Sequence, residues 1–291
     1  MRRQITVRRA AGFAAAAAMC PYLLVKVSWI VQELARGTAE WVLLNAVTVV
    51  MALAGVGLGL AVAQPWGMRL PGRLVLPVVW VAGGLLVSML PYVAAAALLV
   101  PSAPEPAVEP SSETALIGVA FTGMAVALVV GLPLYVRERW NRAFTGRVGS
   151  DAAGRRTRWL LPPVAALAAL WAYWAAGGTA GLAQTPDLNA RLLLANSALG
   201  AACAGWSLWA LRRRSSRLWP PMTLGFITSG SLFSWAAWKL AWLLVPGLYQ
   251  PVEHLWVALV EHVTAMATGL ALLAVLVGTY RRRSAVDLKF G

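Results

Sequence analysis

Two lysines and a glutamate stand inside apolar segments of this sequence. Lys26 lies in PYLLVKVSWIV, Lys239 in SWAAWKLAWLLVP and Glu261 in WVALVEHVTAM. Because a charged group in hydrocarbon costs about 2.5–3.5 kcal/mol even on lenient scales, it normally faces a partner or a cavity. A lysine could hold a head group or pair with a carboxylate, and a carboxyl group could act as a general acid. These residues are therefore the first candidates for function.

Lys239 and Glu261 are expected at a similar depth. Lys239 lies seven residues before Pro246 and Glu261 lies six residues after Leu255. At 1.5 Å per residue, each is about 9–10 Å from the helix end nearer to the connection between the two segments. By the same rise, Lys26 is about 14 Å from the end of its own helix. Only the short connection GLYQPVEH joins the two segments, so their helices should be antiparallel neighbours. We therefore expect the lysine and the carboxylate to be close enough to pair.

A polar layer is expected around these groups. Asparagines occupy the same part of other apolar segments, and interior tryptophans could stack on an ammonium group or line a pocket for an apolar or cationic ligand. The candidate ligand-binding residues are Lys26, Trp29, Asn45, Asn196, Trp235, Lys239, Trp242, His254 and Glu261. Glu261 is also the candidate catalytic residue if the protein is an enzyme. His262 lies about 100° around the helix from Glu261 and need not join the same site.

Structural explanations for the same residues stay open. A lysine can lay its stem along apolar surface while its ammonium group reaches the membrane interface. Lys239 and Glu261 could form a purely structural pair, and tryptophans are common both in the interfacial belt and in ordinary packing.

The elements that must position these residues are membrane helices. The 291 residues are 59% hydrophobic and 12% charged, whereas a soluble domain is typically about 45–50% apolar and about 25% charged. The apolar runs are long enough to cross about 30 Å of hydrocarbon and do not alternate as barrel strands do. The sequence predicts an all-α integral membrane protein with eight transmembrane helices. They lie near Ala10–Ala35, Trp41–Val62, Leu74–Val100, Ala115–Val136, Trp159–Leu182, Ala190–Leu211, Pro221–Val245 and Leu255–Tyr280.

The positive charges predict how the chain is threaded. Most of the 25 Lys and Arg residues fall in every second connection, as the positive-inside rule requires. Both termini are therefore expected in the cytoplasm. The net charge of +14 suits anionic lipid head groups. Because it is spread over many connections and not over one folded face, we expect membrane lipids and not nucleic acid as partners.

Several kinds of chemistry find no support. The two cysteines lie in different apolar runs, so they predict neither a disulfide nor a metal framework, and two histidines are too few for a rich bis-histidine haem arrangement. The motifs of ATP-binding loops, zinc proteases and serine hydrolases are missing. We predict no cofactor and no metal. The N-terminal run resembles a signal peptide, but its apolar stretch continues past Cys20, which favours an uncleaved first helix.

Short phrases recur in the two parts of the chain. The third and seventh predicted helices both end in LLVP, and the second and sixth carry LLN and LLAN. Because each part holds four predicted helices, the repeats would be parallel, related by an axis along the membrane normal. We predict a first four-helix half at residues 1–136, a basic cytoplasmic linker at 137–158 and a second half at 159–291.

The phrases CPYLLVKVSW, AQPWGMRLPGRLVLPVVW and AYWAAGGTAGL carry a resemblance. They are similar to phrases of uncharacterised polytopic membrane proteins of high-GC actinobacteria, in which K-x-x-W is followed by a Gly-Gly-Thr turn and then by PWG-x-R-L-P. Here Lys26 and Trp29 lack the glycine pair, and Gly177, Gly178 and Thr179 lack the lysine. The resemblance implies a bacterial plasma-membrane protein and brings no established activity.

The sequence favours a multi-pass plasma-membrane protein that binds or transports an amphiphilic or lipid-like small molecule through an outer-leaflet polar site. One alternative is an intramembrane enzyme acting on a lipid or terpenoid through acid catalysis by Glu261, although the sequence offers no convincing second acid. Another is a structural or regulatory subunit that binds a membrane-protein partner.

Overall fold

The computed structural model describes residues 2–37, 39–100, 112–140, 145–148, 155–213, 217–243 and 251–290. The structure is all-helical in these ranges, and no strand occurs in them. Their α-helices are α1 (Arg2–Ala18), α2 (Cys20–Arg36), α3 (Ala39–Ala63), α4 (Gly72–Leu86), α5 (Leu90–Leu99), α6 (Ser112–Arg139), α7 (Leu161–Ala175), α8 (Leu188–Ala210), α9 (Trp219–Leu243) and α10 (Leu255–Phe290). Short 3₁₀ turns occupy Pro65–Met68, Val87–Met89 and Arg155–Leu160. The prediction of an all-α protein is confirmed.

Among the described residues, six stretches are long and apolar enough to cross a membrane, which makes this a multi-pass membrane protein. They are Arg3–Arg36, Trp41–Ala63, Gly72–Leu99, Ser112–Arg139, Leu188–Ala210 and Leu255–Arg282. Two further predicted spans do not meet both conditions. Helix α7 has 15 residues, about 22 Å of helix, and α9 has 25 residues but carries serines, threonines and Lys239. The count of eight and the orientation of the termini stay predictions.

The contacts divide the chain into two compact units. One comprises Met1–Ala82 and Ser102–Arg139, and the other comprises Gly83–Pro101 and Trp140–Gly291. Residues 83–101, which the prediction placed in the first half, are part of the second of these units. The reason is local packing, because α5 packs against α8 and the Val87–Met89 turn packs against α9.

In the first unit, α1 and α2 form one helix that is interrupted at Met19. Pro21 causes the interruption, since proline has no backbone N–H to continue the ladder. Helix α1 packs against α3 and α6. The approach to α3 is close, because a Cβ atom added to Gly12 would lie 2.5 Å from the nitrogen of Ala63. Small residues of this kind let membrane helices pack tightly.

Two arginines anchor the end of the first unit at which α1 begins and α6 ends. Arg8 is only 3% exposed and forms an ion pair with Glu138, with an N–O distance of 3.1 Å. Arg139 donates to the carbonyl oxygen of Gly67 at 2.6 Å, and the hydroxyl of Tyr135 donates to the same oxygen at 2.8 Å. These contacts hold the Pro65–Met68 turn against α6, so the conspicuous PWG phrase serves a packing role.

In the second unit, α7, α8, α9 and α10 pack in sequence, and α10 returns to contact α7. Fully buried Trp174, Leu208 and Leu272 belong to its core. Helix α5 is attached at the side of α8, where Tyr92 donates to Asn189 at 2.8 Å and Asn196 donates to the carbonyl oxygen of Ser88 at 3.0 Å. Asn196 therefore has a structural contact, away from the polar cluster described below.

A short pairing of two loops closes one end of this bundle. We call it the clasp, and it joins residues 181–184, between α7 and α8, to residues 252–254, just before α10. Its backbone hydrogen bonds run from Ala183 to Val252 at 2.8 Å and from His254 to Gly181 at 3.0 Å. The turn needs glycine, since Gly181 has a φ of +85°. The indole of Trp174 donates to the carbonyl oxygen of Ala180 at 2.8 Å, which ties the loop to the core.

Removing the N-cap of α8 is expected to loosen the beginning of that helix. The carboxylate of Asp187 accepts from the backbone N–H of Ala190 at 2.7 Å, and loss of such a cap typically costs about 1 kcal/mol. Asp187→Ala should accelerate amide hydrogen exchange at Ala190 and lower the unfolding midpoint slightly. Asp187→Asn is the control, since its amide oxygen can still accept. Equal exchange rates in the two variants would show that the cap is unimportant.

Candidate functional site

Close packing of α9 against α10 determines where Lys239 and Glu261 lie relative to one another along the two helices. A Cβ atom on Gly269 would lie 2.6 Å from the carbonyl oxygen of Ser229, and one on Gly225 would lie 3.3 Å from the Leu276 side chain. Both approaches fit one antiparallel register, and the same register brings Lys239 level with Glu261. The shared depth expected from the sequence thus agrees with the packing of the two helices.

Glu261 is the centre of a buried polar cluster. Its side chain is 4% exposed. The indole Nε1 of Trp171, on α7, donates to Glu261 Oε1 at 2.6 Å, and His262 Nδ1 lies 3.5 Å from the same oxygen. The second oxygen, Oε2, has no hydrogen-bond partner among the described residues. One oxygen of the carboxylate is therefore held by the protein, and the other is buried without a described partner.

His262 belongs to this cluster, which differs from the expectation that it could face elsewhere. It is 2% exposed, and its Nε2 atom has no hydrogen-bond partner in the described ranges. The physical reason is that α10 packs against α9 and also against α7. Two neighbouring positions, 100° apart, can then both be buried. Seen alone, the sequence does not show on how many sides a helix is covered.

Lys239 acts on the cluster from a distance. It is half-buried and interacts electrostatically with both Glu261 and His262. Neither a hydrogen bond nor an ion pair within 4.0 Å joins it to Glu261 among the described contacts. The direct pair expected from the sequence is replaced by the Trp171 hydrogen bond.

Glu253 is a site residue that sequence reasoning missed. It is 4% exposed, it interacts electrostatically with Glu261, and its Oε2 atom has no hydrogen-bond partner in the part of the chain described. The clasp buries it, because it is bridged to Leu182 across the two loops. The only signal in the sequence was an acidic residue in a short connection, YQPVEHLW, between apolar segments.

Helix α9 supplies two further buried polar atoms. Within the described structure, Ser234 Oγ and Trp235 Nε1 have no hydrogen-bond partner. Trp235 lies one helical turn before Lys239. By contrast, Trp242 makes an edge-to-face contact with Trp238 at 5.0 Å, and His254 is exposed. No described contact joins Trp242 or His254 to Glu261.

The remaining candidates form a separate cluster in the first unit. The ammonium nitrogen of Lys26 donates to Asn45 Oδ1 at 2.9 Å and lies 4.2 Å from the ring centre of Trp29. The indole of Trp29 donates to Glu113 Oε2 at 2.8 Å. The charged members of the nine predicted residues therefore lie in two different units.

The Glu261 cluster has the chemistry of a polar binding site. Its buried polar atoms without a described partner are carboxylate oxygens of Glu253 and Glu261 and an imidazole nitrogen of His262, and Trp171 provides aromatic surface beside Glu261. No group of three or more His, Cys, Asp or Glu side chains that could hold a metal ion occurs within the described ranges. Comparison of the chain with models of protein families, with curated protein sequences and with solved structures found no match.

Proposed function

We propose that this protein binds an amphiphilic small molecule at the Glu261 cluster, either for transport or for sequestration in the membrane. The single observation that carries the proposal is the buried carboxylate of Glu261 with one oxygen held by Trp171 and the other without a partner among the described residues. An unsatisfied buried polar group costs about 1–3 kcal/mol, and more when it is charged. A ligand that satisfies it would recover that energy.

The head group of the ligand should donate hydrogen bonds and carry positive charge. Glu253 and Glu261 place two carboxylates near one another, and among the described residues Lys239 is the ammonium group that interacts with Glu261. This arrangement leaves a deficit of positive charge, which a protonated amine supplies. The indole of Trp235 can add a cation–π contact with such a head group.

This proposal uses the membrane topology that the sequence predicts. The chain crosses a bacterial plasma membrane eight times as a parallel 4+4 repeat, with both termini in the cytoplasm. The alternation of basic connections supports that orientation. The clasp and the Glu261 cluster then lie in the outer leaflet, where an amphiphile can enter with its head group near the interface.

Binding can be tested with amphiphiles that differ only in their head group. We expect dodecylamine to raise the unfolding midpoint of the purified protein in neutral detergent by several degrees, and dodecanol or dodecanoate to do so less. Glu261→Gln should abolish the amine effect, because it removes the negative charge while keeping an acceptor for Trp171. Glu33→Gln, an acidic residue of the first unit, is the matched control and should leave it unchanged.

Lys239 separates a ligand site from a structural pair. For a ligand site, Lys239→Met should strengthen the amine effect, since it removes a competing positive charge. If instead Glu261→Gln and Lys239→Met each reduce the yield of folded protein and the double variant restores it, the residues form a structural pair and the proposal fails. Flux of a labelled amine into proteoliposomes would separate transport from sequestration.

The second candidate is acid catalysis within the membrane. One observation supports this candidate. Glu253 is a second buried carboxylate, which the sequence analysis did not identify as an acid. If the protein is an enzyme, lipid extracts incubated with it should contain a new product by mass spectrometry. Glu253→Gln and Glu261→Gln should each abolish that product. Without any product and without amine stabilisation, a structural or regulatory subunit is the remaining function.

A further inference from the structure

We infer that Lys26, in the first unit, forms a second binding site, for the anionic phosphate of a lipid head group. The site is separate from the Glu261 cluster and has the opposite charge preference. It does not depend on the function proposed above, because no residue is shared between the two clusters.

The ammonium group of Lys26 is held in a defined position. Asn45 Oδ1 accepts one of its hydrogen bonds, and the rings of Trp29 and Tyr22 lie 4.2 and 5.7 Å away. Asn45 is 4% exposed and is fixed in turn by donating to the carbonyl oxygen of Trp41 at 3.0 Å. A lysine that only extends to water needs neither an amide acceptor nor stacked rings. The ammonium group of Lys26 is therefore preorganised by Asn45 and the two rings.

The held cation has no counter-ion among the described residues. No carboxylate there lies within the 4.0 Å of an ion pair with Lys26, and the acidic residue of the cluster, Glu113, accepts from the indole of Trp29 instead. An ammonium group has three donors, and Asn45 accepts from only one of them. Lys26 is half-buried and not sealed inside the bundle, and no acceptor for the remaining donors is described.

The position of the cluster favours a lipid head group. Trp29 contacts Glu113, the second residue of α6, and Lys26 lies three residues before Trp29, about one helical turn. Lys26 is therefore near the end of the helix bundle, closer to the interface than the 14 Å counted from its own helix end. At that depth the available anions are phosphate groups of lipids. A compact ammonium group binds phosphate well as a point charge.

Phosphate could come from a phospholipid or from solution, and one experiment distinguishes the sources. The full chain in neutral detergent is titrated with phosphatidylglycerol, phosphatidylcholine, glycerol phosphate or inorganic phosphate, and binding is followed by native mass spectrometry and by the unfolding midpoint. We expect phosphatidylglycerol to bind at least tenfold more tightly than phosphatidylcholine. Equal stabilisation by inorganic phosphate would support the site but assign it to a soluble anion.

Variants of the cluster decide whether Lys26 is responsible. Lys26→Met should reduce phosphatidylglycerol binding about tenfold, and Lys26→Arg should retain it. Lys239→Met is the matched control, since it removes an intramembrane lysine from the other unit, and it should leave binding unchanged. Glu113→Gln should tighten binding several-fold, because it keeps an acceptor for Trp29 and removes a nearby negative charge.

Two results would overturn the inference. One is equal loss of binding in Lys26→Met and Lys239→Met, which would indicate attraction by overall charge only. The other is unchanged binding in both Lys26→Met and Glu113→Gln. If Lys26→Met fails to fold, the Glu113→Gln variant still tests the site, because a purely structural cluster gives no reason for tighter binding.

Discussion

Alanine at Gly84 is expected to prevent stable folding of the second unit, whereas alanine at the adjacent Gly83 is expected to be tolerated. A Cβ atom on Gly84 would lie 2.1 Å from the carbonyl carbon of Gly230 and 2.4 Å from its oxygen, whereas one on Gly83 would meet nothing within 4 Å. Overpacking typically costs about 1–3 kcal/mol. The cost here should reach or exceed that range, because backbone cannot rotate away as a side chain can.

The measurement for this pair is the yield of monodisperse protein and its unfolding midpoint in detergent. Gly84→Ala should lose most of the folded yield, and Gly83→Ala should match the wild type within a few degrees. The two substitutions add the same methyl group one residue apart in one helix, so they share any effect of helix propensity. Similar behaviour of the two variants would contradict the close packing of α4 on α9.

The second large effect is expected at Trp171. Trp171→Phe keeps the aromatic ring but removes the donor to Glu261 Oε1. Hydrogen bonds to charged groups contribute about 1.5–3 kcal/mol, and leaving the buried carboxylate unpaired adds a desolvation penalty. We expect a loss of at least that size in the free energy of unfolding, measured by denaturant titration in mixed micelles.

A double-mutant cycle isolates this contact. The effect of Trp171→Phe should shrink to less than half in a Glu261→Leu background, where no carboxylate is left to satisfy. Trp206→Phe, at an exposed position of α8, is the control and should change stability little in either background. Full additivity of Trp171→Phe and Glu261→Leu would mean that the hydrogen bond contributes nothing.

Much of the fold can be predicted from sequence because a bilayer allows few solutions. Backbone groups in hydrocarbon must be satisfied within the segment, so a long apolar run is read directly as a helix. Segments whose composition is less extreme are harder. The tryptophans, serines and Lys239 of α9 lower the hydropathy of that helix.

The level of Lys239 and Glu261 along their helices could be predicted from the sequence, but the neighbours that Glu261 contacts could not. Counting residues from a short connection placed Lys239 level with Glu261, since the helical rise is constant. Which neighbour Glu261 contacts depends on how far each helix is rotated about its axis. That rotation is set by backbone approaches such as Gly269 on Ser229, and no local pattern encodes them. Trp171 and His262 therefore became visible as partners only in three dimensions.

Contacts between distant loops escaped prediction for a different reason. The burial of Glu253 depends on residues about 70 positions earlier, and neither loop has a periodic pattern. The position of Lys26 likewise follows from a contact between Trp29 and the beginning of α6. That contact joins residues 84 positions apart, so counting along one helix does not reveal it.

The clasp has a consequence for biogenesis. Residues 181–184 of the clasp are synthesised directly after α7, but residues 252–254 are synthesised only after α8 and α9 have been completed. Because chains begin to fold while they are being made, the end of the second unit that the clasp covers stays open through most of synthesis. It closes when the backbone N–H of His254 can donate to Gly181. Glu253 is thus among the last side chains of the cluster to be shielded. A ribosome-stalled chain ending within α9 would hold Trp171 in place without the carboxylates that complete its surroundings.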